Sequence, residues 1–449
     1  MISAITSECG YSSDSETEEI TWCIDDENIG TVSCDLNFAD TTKVSIEGSK
    51  AFKIDYGNTF PSLKKLSYSH NCGDVRNCTH TLDNIIDAFS DCPSLKYVHF
   101  TNANLSVIPE SISKFGSITY LDLSYNSLSY LPDSICDLVN LKTLKLSHNR
   151  LTCLPEKIGN LKKLVSFVAN IGNVELEKLP NSFCDLTSLE EIWMIFSGLR
   201  KLPKNFGNLV NLKIIQMRGN KIGNLPESFS NLVNLESLDL ELNCVSILPN
   251  LFGNLVNLTS LNMDDNRLTQ LPDTFIKLTK LKKLDLTSNN FKYFPEVLIE
   301  MNNISYLSLY DNKIAEIPPS IKKMVGLTNL CLGDNVLRSI PDEIYDLPNL
   351  YDLSFDNNMI SVLSQKIGNL HTLKSLSFSY NKIESLPDEL YGLPNLSNVY
   401  AHKNNMTTIS VDILKMKKLK FMSLDNNQLS LEEIQKWKHM EQLYFGKLV

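Results

Sequence analysis

The chain has 449 residues, 43% of them hydrophobic, and a formal net charge of -10. Residues 1 to 42 hold ten Asp or Glu and no Lys or Arg, which leaves 42 groups of each sign in the remainder, so a general nucleic-acid role has no electrostatic support. Eleven cysteines, an odd number without dense paired spacing, exclude a disulfide-stapled secreted scaffold and predict reduced thiols.

In chain order, residues 1–20 are acidic, serine-rich and poor in aliphatics, a composition that cannot bury enough surface to offset ordering entropy. They are expected to form a disordered tail. Ser13 and Ser15 each have Glu three residues later, the context of an acidophilic kinase site, and the tail is read either as solubilising or as a phosphorylation switch. It lacks the basic start and apolar run of a signal peptide, and no stretch reaches the roughly 18 apolar residues of a membrane span. A cytoplasmic protein is expected.

Residues 21–94 are expected to form an irregular N-terminal cap and a first divergent repeat. TVSCDL, KVSIEG and AFKIDY alternate as short strands, whose place is to blunt the first sheet edge. Leu63, Leu66, Tyr68 and Asn71 reproduce a strand half, and Leu82, Ile85, Ile86 and Phe89 fall at helical spacing. Cys72, Cys78, His80 and Cys92 cluster, but five residues between the first two are not the usual short zinc knuckle. No metal is expected.

From Leu95 to about residue 429 one unit recurs about fifteen times. Residues 141–163 read LKTLKLSHNRLTCLPEKIGNLKK, and every step between repeat starts is 23 residues except that from Leu164 to Leu189, which is 25. Such a period signals a solenoid. Leu144 and Leu146 alternate with Thr143, Lys145 and Ser147, the pattern of a strand with one buried face. The Asn149 amide is placed to satisfy backbone groups at a tight inward bend, and Ile158 with Leu161 predicts a helical turn outside. Ser197 stands where the 189 repeat should have Asn. At residues 430–449 Ser430 and Glu433 read as a capping box, and Leu431, Ile434, Trp437 and Met440 as one face of a C-terminal capping helix.

The template LxxLxLxxNxLxxLPxxIxxLxx resembles a leucine-rich repeat, and its 23-residue length with the LPxxI half is most similar to the intracellular Ras-group branch, which includes Scribble and Erbin and has plant relatives. The resemblance implies an α/β leucine-rich-repeat solenoid, a horseshoe with a parallel concave sheet, short convex helices or turns, and caps at both ends. It also implies signalling through a small GTPase or a protein phosphatase.

No phosphate loop, GxGxxG, HExxH or nucleophile-elbow motif occurs with supporting context, so no enzyme activity and no cofactor is expected. Lys96, Tyr97, Val98, His99 and Phe100 fit a loose phosphatase-docking pattern, yet Val98 and Phe100 fall on inward strand positions. The open face of the strands is the remaining candidate surface. Trp193, Ile195 and Phe196, flanked by Val165, Val168, Ile171, Ile214, Gln216 and Arg218, make an apolar aromatic patch with a cation at its edge, the composition of an interaction site. The competing reading is that the irregular unit folds its 170–178 loop over the aromatics as a local core. Further on the face turns acidic at Asp239, Glu241, Asp264, Asp265, Asp285, Asp311, Asp334, Asp352 and Asp356, which fits a basic partner segment or a simply solvated arc. The partner is expected to dock across residues 165 to 265. The chain reads as a non-catalytic scaffold or adaptor, with a phosphatase-targeting subunit and a purely structural self-associating protein as alternatives.

Overall fold

A computed structural model describes residues 19–24, 31–32, 40–48, 53–54, 60–69 and 78–446. Ser13, Ser15 and Cys72 lie outside the described residues, as does most of the acidic tail. The chain divides into two units, Met1–Ile222 and Gly223–Val449.

In the first unit, nine strands pair in parallel and in chain order: Glu19–Ile24, Lys43–Gly48, Lys65–Ser69, Tyr97–Phe100, Tyr120–Asp122, Thr143–Lys145, Ser166–Val168, Glu191–Trp193 and Ile214–Gln216. From Tyr97 on, partners lie 23 residues apart, except that Glu191 pairs with Ser166 across the 25-residue unit. The segment expected to be an irregular cap carries three of these strands in regular parallel register, Glu19 beside Lys43, Lys43 beside Lys65 and Lys65 beside Tyr97. The strand Glu19–Ile24 begins inside the stretch assigned to the tail. Helix Cys78–Phe89 fills the longest of those steps and buries Leu82, Ile85, Ile86 and Phe89 completely.

The second unit repeats the arrangement with ten parallel strands, from Ser237–Asp239 through Ser260–Asn262, Lys283–Asp285 and their successors to Phe421–Ser423 and Leu443–Tyr444. Between Tyr97–Phe100 and Phe421–Ser423 the outer connections are single 3-10 turns such as Ile158–Asn160 and Asp273–Lys277. Most open after a proline in extended conformation, as at Pro272, where a residue without an N–H cannot continue a sheet.

The local cause of the fold is legible in one repeat. Leu144 and Leu146 are fully buried while Thr143 and Lys145 are only partly covered. Asn149 then turns inward and is buried: its Nδ2 donates to the Leu123 carbonyl at 2.9 Å and the Leu146 carbonyl at 3.1 Å, and its Oδ1 accepts from the Leu128 N–H at 3.0 Å. One amide thus satisfies backbone groups of its own repeat and of the one before it. Asn266 does the same in the second unit with Leu240, Met263 and Val245. At Ser197 the smaller side chain keeps only part of this, its Oγ donating to the Ala169 carbonyl at 2.5 Å. Phenylalanines stack in register behind the sheet of the second unit, Phe229 on Phe252 at 6.4 Å and Phe252 on Phe275 at 6.0 Å.

The C-terminal end differs from the expected amphipathic helix. The helix spans only Leu431–Trp437. Leu431 is 70% exposed, Ile434 and Met440 are half-buried, and Trp437 is buried. Closure comes instead from the strand Leu443–Tyr444, because the edge Met422 and Leu424 N–H groups would otherwise lack partners: they donate to the Gln442 and Tyr444 carbonyls at 2.8 and 2.7 Å. Ser430 caps the helix by accepting from the Glu433 N–H. The Glu433 carboxylate does not complete the box but accepts from the Ile409 N–H and the Trp437 indole N–H at 3.0 and 2.8 Å, tying helix to repeat. Among the described residues, no helix is long and apolar enough to cross a membrane.

Candidate protein-binding face

The 25-residue unit splits its two extra residues, one before Asn173 and one after it, so Asn173 keeps the buried ladder position and donates to the Leu146 carbonyl at 3.0 Å. The insertion therefore leaves the core unchanged and spends its length at the surface. Ile171 is 45% exposed and Phe196 42%, Val174 is also exposed, and Trp193 and Ile195 are half-buried. The 170–178 loop does not close over the patch. The Trp193 indole N–H reaches the Glu191 carboxylate at 3.4 Å, which orients the ring along the strand, and Asn170 accepts from the Ile195 N–H at 2.9 Å. Val165, Val168, Ile214 and Gln216 are half-buried beside it, and Arg218 is exposed.

A backbone feature had no signal in the periodicity. Where the strand gives way to the asparagine turn, one position per repeat adopts a left-handed conformation: Asn102, Tyr125, His148, Ile171, Phe196 and Gly219 in the first unit, and Leu242, Asp265, Ser288, Asp311, Asp334, Asn357, Tyr380, Lys403 and Asn426 in the second. Asn, Asp and Gly tolerate that region, whereas β-branched and bulky residues are outliers in it. The first unit places three such residues there, Tyr125, Ile171 and Phe196, with Tyr125 stacked on His148 at 4.2 Å and backbone bonds linking Ile171 to Ile195 and Phe196 to Arg218. The conformation recurs at this place in every repeat whatever the residue, so it belongs to the turn itself.

The sequence reading also missed an aromatic and basic cluster nearer the start of this unit. Tyr97 and Tyr120 lie 6.0 Å apart, His99 is 4.9 Å from Tyr120, and the Lys145 ammonium is 5.4 Å from the Tyr120 ring centre. Burial first, then the Lys65 and Lys145 charges against the opposing Asp122, lower the His99 pKa. Val98 and Phe100 are fully buried, which removes the phosphatase-docking pattern from reach.

In the second unit the expected acidic residues do share one sheet face. Asp239 and Asp285 each accept from a backbone N–H two residues on, at 2.9 and 3.1 Å, and Glu241 accepts from the Asn262 amide at 3.1 Å. Partial burial first, then the neighbouring carboxylates of Asp285 and Glu241, raise the Asp264 pKa. Asp265 occupies one of the left-handed positions and is exposed. Cys331 lies among them with its thiol pushed up to about 11 by burial and three aspartates, so it is a poor nucleophile. Among the described residues no cluster of His, Cys, Asp or Glu could hold a metal ion.

With this geometry in view, comparison with known proteins is specific about class. Residues 108–202 and 200–305 match a family model described as leucine-rich repeat region, and residues 348–406 match one described as leucine rich repeat. The chain is a leucine-rich-repeat protein. Among solved structures it is similar to a leucine-rich-repeat protein of Leptospira interrogans, at 28% identity and a TM-score of 0.69, covering 86% of this chain and 90% of that one. It is similar also to the Arabidopsis receptor kinase HAESA, solved with the peptide hormone IDA and the co-receptor SERK1, at 25% identity and a TM-score of 0.53, covering 89% and 80%. The plant peptide hormone receptor RGFR1 in complex with RGF2 shares the fold at 23% identity and a TM-score of 0.70, covering 93% and 70%. No curated protein matches the sequence. Leucine-rich-repeat proteins generally mediate protein-protein interaction.

Proposed function

We propose that this chain is a non-catalytic scaffold or adaptor in intracellular signalling that captures a protein partner on the open face of its sheet, with Trp193 and Phe196 as anchors. The observation that carries the reading is the uncovered aromatic patch: Trp193, Ile195, Phe196 and Ile171 keep solvent-accessible surface beside the insertion. Large amphipathic rings beside an arginine supply contact area at low entropic cost and dominate binding energy. A small GTPase or a protein phosphatase is the partner class implied by resemblance to the Ras-group branch. The test is affinity capture from native lysate with the wild-type chain and with Trp193→Ala and Phe196→Ala, folding being checked by circular dichroism. Loss of a stoichiometric partner from both folded variants supports the reading, and unchanged capture overturns it.

A further inference from the structure

The neutral charge total of the repeats hides a local imbalance. Along the first unit, the strand register sets Lys65 beside Tyr97, Tyr97 beside Tyr120, and Tyr120 beside Thr143, while Ser67, His99, Asp122 and Lys145 form the adjoining row. Immediately before these strands stand Lys64, Lys96 and Lys142. Five lysines thus border one sheet face, with Asp122 as the single carboxylate among them in the described residues. Asp122 is already engaged: it accepts from the Ser124 N–H at 2.9 Å and from the Tyr120 hydroxyl at 3.3 Å.

One carboxylate, Asp122, acts on Lys145 and raises its pKa behind the larger effect of the Tyr120 hydroxyl, and it stands against five lysines. Lys96 donates to the Ser117 carbonyl and Lys145 lies over Tyr120, neither of which is an anion. Four other cations in this unit do pair with carboxylates, Lys114 with Asp87, Lys157 with Asp133, Arg200 with Glu177 and Lys213 with Glu190. Between the lysines lies a platform of three rings, Tyr97, Tyr120 and His99, with Tyr97 47% exposed.

We propose that this face, from Lys64 to Lys145, is a second binding surface, and that its occupant is an acidic polypeptide segment in extended conformation with apolar or aromatic side chains among its carboxylates. Four strands at about 4.8 Å spacing span about 15 Å, the length of about four extended residues. Lysines along the border meet the carboxylates, and the ring platform takes a side chain between them. A nucleic-acid strand fits less well, because its evenly spaced phosphates would pass Asp122 and then approach Glu190 and Glu191 on the next strands but one. The surface is independent of the Trp193 patch and does not rest on it.

The test uses the full chain and a fluorescein-labelled peptide of about ten residues, rich in Glu with one Phe, read by anisotropy. Lys64→Glu with Lys142→Glu reverses two exposed charges on this face. Lys277→Glu with Lys322→Glu makes the same net change on outer turns of the second unit. The peptide should bind the native chain, weaken about tenfold or more in the first pair and with rising salt, and bind normally in the second pair and in Trp193→Ala. Tyr97→Ala should weaken it without altering the salt dependence. Equal loss in both charge pairs would reduce the effect to net charge and overturn the proposal. So would absent binding, or tighter binding of a single-stranded oligonucleotide of equal charge.

Discussion

The Phe196 ring occupies the space a side chain at Gly219 would need: a β-carbon built at residue 219 would stand 2.2 Å from the Phe196 Cδ1 and Cε1 atoms. Gly219 also has φ +71°, so it is the residue type that permits both its own turn and the seat of the neighbouring ring. Gly219→Ala is expected to displace the phenyl group and to cost about 1 kcal/mol in stability from the left-handed backbone alone. Partner capture should fall with it. A chemical-denaturation midpoint unchanged from wild type would show that the ring and turn accommodate the methyl group.

Trp193→Ala and Phe196→Ala should each weaken partner binding by about 2 kcal/mol or more, the usual cost of removing a central aromatic anchor. Their effect on the melting temperature should be small, because neither side chain is enclosed in the core. Isothermal titration with the captured partner provides the first quantity and circular dichroism the second. Variants that melt early would return the patch to a folding role.

Leu284→Ala is expected to cost about 2 to 5 kcal/mol, the range for a buried leucine whose cavity cannot collapse, since Leu284 is fully buried between Leu261 and Leu307. Ser260→Ala, on the open side of the neighbouring strand, should change stability little. Urea denaturation of both variants reads the strand register directly: comparable losses would mean that the two faces are exchanged.

Asp264 provides a pH test with a definite sign. Its folded-state pKa is raised, by partial burial and then by Asp285 and Glu241, so the ionised form is the disfavoured one in the folded chain. The penalty is absent when the group is protonated in both states and is fully present above the raised value. Asp264→Asn should therefore raise the melting temperature at pH 7, and the gain should shrink as pH falls towards about 4, the ordinary aspartate range. A gain that is constant with pH would assign the effect to something other than charge.

How much of this was readable beforehand follows from where each signal is stored. Leu144, Leu146 and Asn149 announced their places because burial and amide capping recur with the chain's own period. The strand Leu443–Tyr444 did not, since it repeats no template and forms only because an edge must be paired. Glu19–Ile24 was hidden by acidic composition, although Ile20, Trp22 and Ile24 alternate. The Trp193 patch could be named from the sequence, but its exposure depended on where two inserted residues went. Lysines 64, 65, 96, 142 and 145 vanished into a charge total that sums to zero, and left-handed geometry at Ile171 and Phe196 leaves no trace in residue type.

The asparagine ladder carries a consequence for how such a chain can change over time. Asn266 donates to the Leu240 carbonyl one repeat back, and Asn289 donates in the same way to the Met263 carbonyl. Excision of residues 258–280 would bring Asn289 to the acceptor that Asn266 now uses, with a leucine strand again beside a leucine strand. Tandem duplication or loss of a whole 23-residue cassette is therefore chemically silent at the junction, whereas an extra residue within a cassette must be looped out at the surface, as on either side of Asn173, for the amide to keep its place. Copy number is free to drift while register is not.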